Sequence, residues 1–402
     1  MALSLAYIGN FEPEHSTEND LLRTMRDLGV EVEPVQEGDY TALERLGSHG
    51  AHFDAIMWTS TRDLAANVAD EVWRKLQIEA RLEGIPTIGV HLDRWWGLLR
   101  EPTLYSAPFF RCEYVFTADG HDPRRWEAAG INHHWMPPAI APHNVKIGTP
   151  RPEYRSEIAF VGSWQDYGHR EWSHRGQLVQ FLRRHYGKRV RFWPGRARPA
   201  VRGDDLADLY ASVDVVVGDS CLVADNGQPW THYCSDRVFE TVGRGGLLLH
   251  PWVDGVTDGS LLLAGRDLVT WLLGDWEELK VTIDHYLANP DERALIRSLG
   301  LERVRRSNTY AHRVHRIFEI VFGRLNPEVI HLGETLRAST SEATEALVRP
   351  AGEEEVPDSR SAPRSEREGA CDPAVQAGSD LQVDEEQDPR RRQPETEAEV
   401  AR

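Results

Sequence analysis

No apolar run in the 402 residues approaches the length needed to cross a bilayer, which argues against a membrane-spanning helix. Cysteine is scarce: Cys112, Cys221, Cys234 and Cys371 stand far apart with no CxxC pair. That pattern fits free thiols in a reducing compartment better than a disulfide framework or a zinc site. Positive charge is also short. With 46 Lys and Arg against 64 Asp and Glu, the net charge is −18, so general binding to nucleic acid, which needs clustered basic residues, is not expected. From Thr335 to Arg402 aromatic residues are missing altogether, and 17 acidic residues face 9 basic ones. This stretch cannot bury enough apolar surface to offset its chain entropy, and 335–402 is predicted to be a disordered acidic tail, serving solubility or partner contact. The N-terminus enters a strand almost at once, leaving no signal peptide, and a cytoplasmic location is expected.

What the chain does have is a regular alternation of short apolar runs and amphipathic stretches. Strands are predicted at Leu3–Ile8, Val30–Val35, Phe53–Trp58, Ile85–Val90, Tyr114–Thr117 and His133–Met136, with helices over Glu18–Leu28, Asp63–Leu82 and Pro123–Ala129. Prolines at 137, 138, 142 and 152 then mark a linker. A second series follows: strands Glu157–Val161, Arg189–Trp193, Val213–Gly218 and Leu247–Leu249, and helices Arg175–Tyr186, Asp204–Ala211, Asp236–Val242, Asp267–Trp271, Asp275–Ala288, Pro290–Ser307 and Tyr310–Phe322. The fold class is α/β, with two Rossmann-like, doubly wound domains. Their boundaries fall at 1–138 and 157–334, with 139–156 as linker, and a ligand is expected in the cleft between strand C-termini.

The stretch Ser235–Pro251, SDRVFETVGRGGLLLHP, draws attention first. A short helix places Arg237 and Glu240 one turn apart, runs into a Gly-rich turn and continues as a buried strand. Such a unit suits approach to a nucleotide. Elsewhere, Gly162-Ser163 ends a strand where a small residue permits close backbone approach. Asp219-Ser220 and Trp193-Pro194-Gly195 also follow strand ends and could line a nucleoside pocket. Thirteen tryptophans are many for this length; Trp95-Trp96 fits either a sugar platform or the core.

The run SDRVFETVGRGGLLLHPWVDGV, followed by HYLANPDERALIRSLGLERV and NTYAHRV, resembles the C-terminal domain of CgeB-like glycosyltransferases, relatives of the group-1 glycosyltransferases. The likeness spans about Glu157–Phe322. IAFVGSWQDYGHREWSHR is similar to the same group's first donor-domain strand. The resemblance implies a GT-B architecture, with a nucleoside-diphosphate sugar held mainly by the second domain and the acceptor by the first. It implies metal-independent transfer with no cofactor beyond the donor. The residues agree in lacking an Asp-x-Asp beside a strand end; Asp204-Asp205 reads as a helix start. His121 with His133-His134 has the wrong spacing for a tight metal site.

On this resemblance Glu240 accepts hydrogen bonds from the ribose, and Ser235 and Arg237 face the diphosphate. His232 stands eight positions before Glu240, where related families carry a second acidic residue, and is grouped with the donor contacts. Gly162, Ser163, Arg170, Asp219 and Ser220 complete that set, with Arg170 as a further phosphate contact. For each charged residue the plainer alternative is a solvated helix face or a surface ion pair. The acceptor, whether protein, glycan or small molecule, needs a base unless the donor phosphate takes the proton. His15, after the first strand, and His91 and Asp93, after the fourth, are the candidates; Asp119 is a weaker one. Two other functions stay open: a non-catalytic sugar-nucleotide-binding scaffold, and a sugar-nucleotide epimerase of the same fold.

Overall fold

Strands with apolar residues on both faces need helices on both sides, and the chain supplies one between successive strands of each half everywhere except between the last two of the second. A computed structural model describes residues 2–48, 53–60, 67–163, 172, 174–195 and 199–348. The first half runs β1 (Ser4–Gly9), α1 (Thr17–Asp27), β2 (Glu31–Gln36), α2 (Tyr40–Ser48), β3 (Ala55–Thr59), α3 (Asn67–Glu83), β4 (Thr87–His91), α4 (Thr103–Ser106), β5 (Tyr114–Thr117), α5 (Pro123–Ala128) and β6 (His133–Trp135). Its sheet is parallel, in the order β2-β1-β3-β4-β5-β6. The second half runs β7 (Ser156–Val161), α6 (Arg175–Tyr186), β8 (Val190–Trp193), α7 (Gly203–Ala211), β9 (Val213–Val217), α8 (Arg237–Gly243), β10 (Leu248–Pro251) and β11 (Val269–Trp271). These strands form a second parallel sheet, β11-β10-β9-β7-β8. Four helices close the described chain: α9 (Trp276–Ala288), α10 (Pro290–Ser307), α11 (Tyr310–Val321) and α12 (Pro327–Val348).

Local chemistry explains these elements. In α1 the Ser16 hydroxyl caps the first turn by accepting from the Asn19 amide at 3.1 Å, Leu21, Leu22 and Met25 are buried, and Gly29 ends the helix at φ +86°. β3, AIMWT, is buried throughout, as a central strand covered on both faces must be.

Four stretches differ from the sequence expectation, the briefest being α4, a single turn too short to show a period. Asp267–Trp271 is not a helix: Val269–Trp271 pairs in parallel with β10, Leu249 opposite Val269 and Pro251 opposite Trp271. Five residues are too few to sustain a free helix, whereas Val269 and Trp271 bury on one face of an available edge. α2 was not anticipated, because Leu43 is its one fully buried hydrophobic side chain. Helix α12 continues past Thr335, where disorder was expected. Val329, Leu332 and Leu336 recur at helical spacing and bury against α1 and α11, which supplies the apolar contact that composition alone concealed. The rest of that expected tail, 349–402, lies outside the described residues.

The last two helices return to the first sheet. Tyr310, Val314, Phe318, Val329 and Leu332 share one core with Leu5, Tyr7, Leu21 and Met25. The chain therefore crosses between halves twice, and one side chain holds both crossings. Arg313 on α11 donates Nε–H to the Pro137 carbonyl at 2.9 Å and Nη2–H to that of Pro138 at 3.3 Å. It also donates to the Ser307 carbonyl at 3.2 Å and to Asn308 Oδ1 at 2.9 Å. Beside it, the Tyr310 amide donates to the Ile140 carbonyl at 2.9 Å. Burial lowers the His312 pKa to about 4, and its Nδ1 caps α11 by accepting the Thr309 amide at 3.3 Å, with the Thr309 hydroxyl 2.8 Å away. The segment Thr309–Arg313 is thus the clamp of the fold. Arg313→Met would leave at least three buried oxygen acceptors without their donor. We expect it to lower unfolding free energy by about 3 kcal/mol or more in urea titration; a loss below about 1 kcal/mol would contradict the clamp.

Candidate donor-binding and active site

In each sheet the strand order reverses once, between β1 and β3 in the first and between β7 and β9 in the second. Ligands of doubly wound sheets bind outside strand C-termini at such points. At the first, the Tyr7 hydroxyl donates to Thr59 Oγ1 at 3.0 Å, and Glu37 accepts from Trp58 Nε1 at 3.0 Å and the Ser60 hydroxyl at 3.1 Å. At the second, Arg237 donates Nη1–H to the Val161 carbonyl at 3.0 Å. A Cβ on the adjacent Gly162 would lie 3.9 Å from the Arg237 guanidinium carbon.

Between the halves lies a cavity of about 730 Å³. Its first-half wall is the loop and helix after β1, with His15, Thr17, Asp20 and Arg23. The facing wall is the start of α7 (Arg202–Asp205) and one side of α8, with Asp236, Arg237, Glu240 and Arg244. His143 and Asn144 of the first crossover, and Tyr310 beside the clamp, complete it. The starts of α1 and α7, with their partly positive amide ends, both open onto this space. Gly203, at φ +58°, lets α7 come close: a Cβ there would meet the His15 ring at 2.9 Å.

The cavity is rich in ionisable groups, several of them neutralised at its edge. Lys146 pairs with Asp204 at 2.5 Å, and Arg151 with Asp205 at 3.0 Å. Glu240 accepts from Arg244 Nε at 2.8 Å, and Arg244 Nη1 donates to the Gly203 carbonyl at 3.0 Å, fixing α8 to the start of α7. Burial raises the Glu240 pKa; Arg244 opposes that shift and Asp236 adds to it. Asp20 is pushed up to about 7, first by burial and then by Glu240 across the cavity, with Arg244 and Arg23 acting the other way. His143 Nε2 stands 3.5 Å from Asp20 Oδ1, and burial holds that imidazole at about 4, so it is neutral at pH 7.

Of the residues singled out from sequence, His15, Arg237 and Glu240 meet on this cavity. Gly162 adjoins Arg237, while Ser163 and Asp219 form a neighbouring support: Arg175 grips Asp219 through Nε at 2.8 Å and Nη2 at 2.9 Å and donates to the Ser163 carbonyl at 3.0 Å. Ser220 accepts the Ser235 amide at 2.9 Å through its carbonyl. His232 packs elsewhere. It adopts φ +54°, lies against Gly255, meets Trp135 edge-on at 5.3 Å and accepts the Gly120 amide at 3.2 Å. Arg170 lies outside the described residues.

His91 and Asp93 do not reach the cavity. The His91 ring sits edge-on to Trp95 at 5.0 Å and to Phe109 at 5.9 Å, and burial pushes its pKa down to about 4. Asp93 accepts from Arg100 at 3.1 Å and from the Tyr233 hydroxyl at 3.2 Å. Asp119 is fully buried, accepting from Arg94 and from the Trp95 and Trp96 amides, each at 3.0 Å. Trp95 and Trp96 belong to the core. Among the described residues no group of three or more His, Cys, Asp or Glu side chains is placed to hold a metal ion. Sequence reasoning missed Asp20, His143, Arg244 and Tyr310. Arg244 carried a signal, since it stands four residues after Glu240 on the same face; the others are joined to the site only by the fold.

The sequence pattern of the glycosyl transferase-like family matches residues 156–319, the second half with the clamp. No curated protein matches the chain. Among solved structures, an alpha-glucosyltransferase in complex with UDP and a 13-mer DNA aligns with a TM-score of 0.58 at 9% identity, covering 80% of this chain and 99% of that one. A glycosyltransferase from Rickettsia africae aligns at 0.53, with 9% identity over 81% and 99%. HepE from Anabaena, in complex with UDP-glucose, aligns at 0.50, with 12% identity over 80% and 99%. The fold is GT-B. The fold likeness extends over both sheets, and the family match is confined to the second sheet and the helices that follow it. Among the described residues no helix is long and apolar enough to cross a membrane.

Because His91 is packed among aromatic rings away from the cavity, His91→Phe should keep nucleotide release from a sugar nucleotide within about threefold of the parent. A fall of ~100-fold, the usual loss of a general base, would return His91 to the catalytic set.

Proposed function

We propose that the chain transfers a sugar from a nucleoside-diphosphate sugar to a hydroxyl acceptor, with the donor held in the cavity between the halves. The observation that carries this reading is the joint placement of Arg237, Arg244 and Glu240, from the half that matches the family, opposite the start of α1. A diphosphate needs donors and positive charge. Arg237 spends one N–H on the Val161 carbonyl, and its other groups, with the amides at the start of α7, are available to phosphate oxygens. Glu240, neutralised by Arg244, is placed to accept from ribose hydroxyls. Gly162, beside Arg237, leaves room for the sugar end to lie against backbone.

In this reading the arginines and helix start carry the leaving-group charge, so transfer proceeds without a metal or further cofactor. The acceptor enters from the wall formed by the loop after β1. HepE and the alpha-glucosyltransferase were solved with UDP, which makes a uridine donor the first to test. The buried thiols Cys112, Cys221 and Cys234 support a reducing, cytoplasmic setting.

Calorimetry with UDP-, GDP- and dTDP-sugars tests the proposal. One of them should bind, and nucleotide should be released slowly with water as acceptor. Arg237→Ala should weaken that binding at least tenfold, about 1.4 kcal/mol. Failure of all three donors to bind, or unchanged affinity in the variant, would sink the assignment; isomerisation of the free sugar nucleotide would indicate an epimerase instead.

A further inference from the structure

We propose that Asp20 is a second reader of the donor's ribose. Facing Glu240 from the opposite wall, its carboxylate accepts from one hydroxyl of the ribose diol, so that the site selects ribonucleotides over their deoxy forms. The inference rests on the reading of the cavity as the donor site. It adds a contact from the first half to a nucleotide otherwise held by the second.

The cavity has two chemically different ends. At one, Arg237 and the amides at the start of α7 offer N–H groups, which suits a diphosphate. At the other, the carboxylates of Asp20 on α1 and of Asp236 and Glu240 at α8 line one space. The buried Tyr310 side chain stands among them: after burial itself, Asp236, Asp20 and Glu240 in turn raise its pKa. Positive charge at this end is already used. Arg244 gives Nε–H to Glu240 at 2.8 Å and Nη1–H to the Gly203 carbonyl at 3.0 Å, and Arg23 is exposed and turned to Asp27 at 3.8 Å. Carboxylates repel phosphate and accept from hydroxyls. Of the parts of a nucleoside diphosphate sugar, the ribose diol is the one that fits between them.

Asp20 itself has an unmet need for a donor. Among the described residues no hydrogen bond shorter than 3.5 Å reaches its carboxylate, and His143 Nε2 stands 3.5 Å from Oδ1. The side chain is 24% exposed, toward the cavity, so water compensates it only in part. Its position is firm, in the first turns of an 11-residue helix whose start is fixed by the Ser16 cap. A ribose hydroxyl supplies the missing donor. A nucleotide that lacks this hydroxyl leaves the carboxylate unpaired against the bound ligand, and sites built to bond a hydroxyl reject such analogues strongly. Glu240 and Asp20 therefore read one diol from two halves of the chain.

Calorimetry on the full chain tests this with UDP, GDP, dTDP and the 2′-deoxy and 3′-deoxy forms of UDP and GDP. The wild type should bind UDP or GDP about tenfold or more tightly than either of its deoxy forms, and should not prefer dTDP. Asp20→Ala should weaken the ribonucleotide about tenfold, while one deoxy form, the one without the hydroxyl that Asp20 reads, stays within about threefold of its wild-type affinity. Asp20→Asn keeps an acceptor oxygen and should recover part of the preference. A merely structural role would weaken every nucleotide by the same factor. That equal loss, an unchanged ribonucleotide affinity in Asp20→Ala, or a wild type that binds dTDP or deoxy forms as well as ribonucleotides overturns the reading of Asp20 and leaves the donor site standing. A wild type that binds none of these nucleotides overturns it together with the donor reading.

Discussion

Arg313 is the constraint on which the rest of the molecule depends. A guanidinium buried this deeply is tolerable only when its N–H groups are used, and here they are spread over the carbonyls of Pro137, Pro138 and Ser307 and the side chain of Asn308. Those oxygens belong to the two strands of chain that cross between the sheets. Burial lowers the Arg313 pKa to about 10, so the group stays charged at neutral pH and the clamp holds. The crossovers also deliver site residues. Tyr310 precedes Arg313 by less than one turn, and His143 and Asn144 follow the clamped prolines. One ionic hub therefore sets the distance between the walls of the cavity.

The cavity in turn concentrates charge that each half alone would solvate. Asp20 belongs to the first half and Glu240 to the second; burial and then Glu240 raise the cost of ionising Asp20, and Arg244 is the main compensating charge at both. A second set of contacts holds the far side of the interface. The Arg94 guanidinium lies 3.7 Å from the Trp230 ring centroid, Tyr233 bonds Asp93, and His121 bonds Thr231 at 2.9 Å. Residues that look catalytic in sequence, histidines and aspartates after strands β4 and β5, are consumed in this packing.

Much of the fold was legible because burial on both faces leaves an unmistakable trace: continuous apolar strands separated by amphipathic helices. The helix boundaries from Arg175 to Phe322 fell close to those observed wherever a cap or proline marked them. Val269–Trp271 was misread because three residues carry no period, and only the edge of β10 makes them a strand. The site was half legible. Arg237 and Glu240 lie in one short segment, so their spacing shows in sequence. Asp20 and Glu240 are 220 positions apart and meet only because the clamp brings the halves together. His91 misled for a related reason: a strand end indicates which way a side chain points, not that Trp95 and Phe109 will close over it.

The central claim is that the cavity between the halves is a sugar-nucleotide site. A crystal structure of the chain grown with UDP-glucose tests it most directly. The account requires the diphosphate against Arg237 and the start of α7, with the ribose hydroxyls at Glu240 and the sugar end toward Gly162. A nucleotide bound elsewhere, or one whose diphosphate lies away from Arg237, would contradict it.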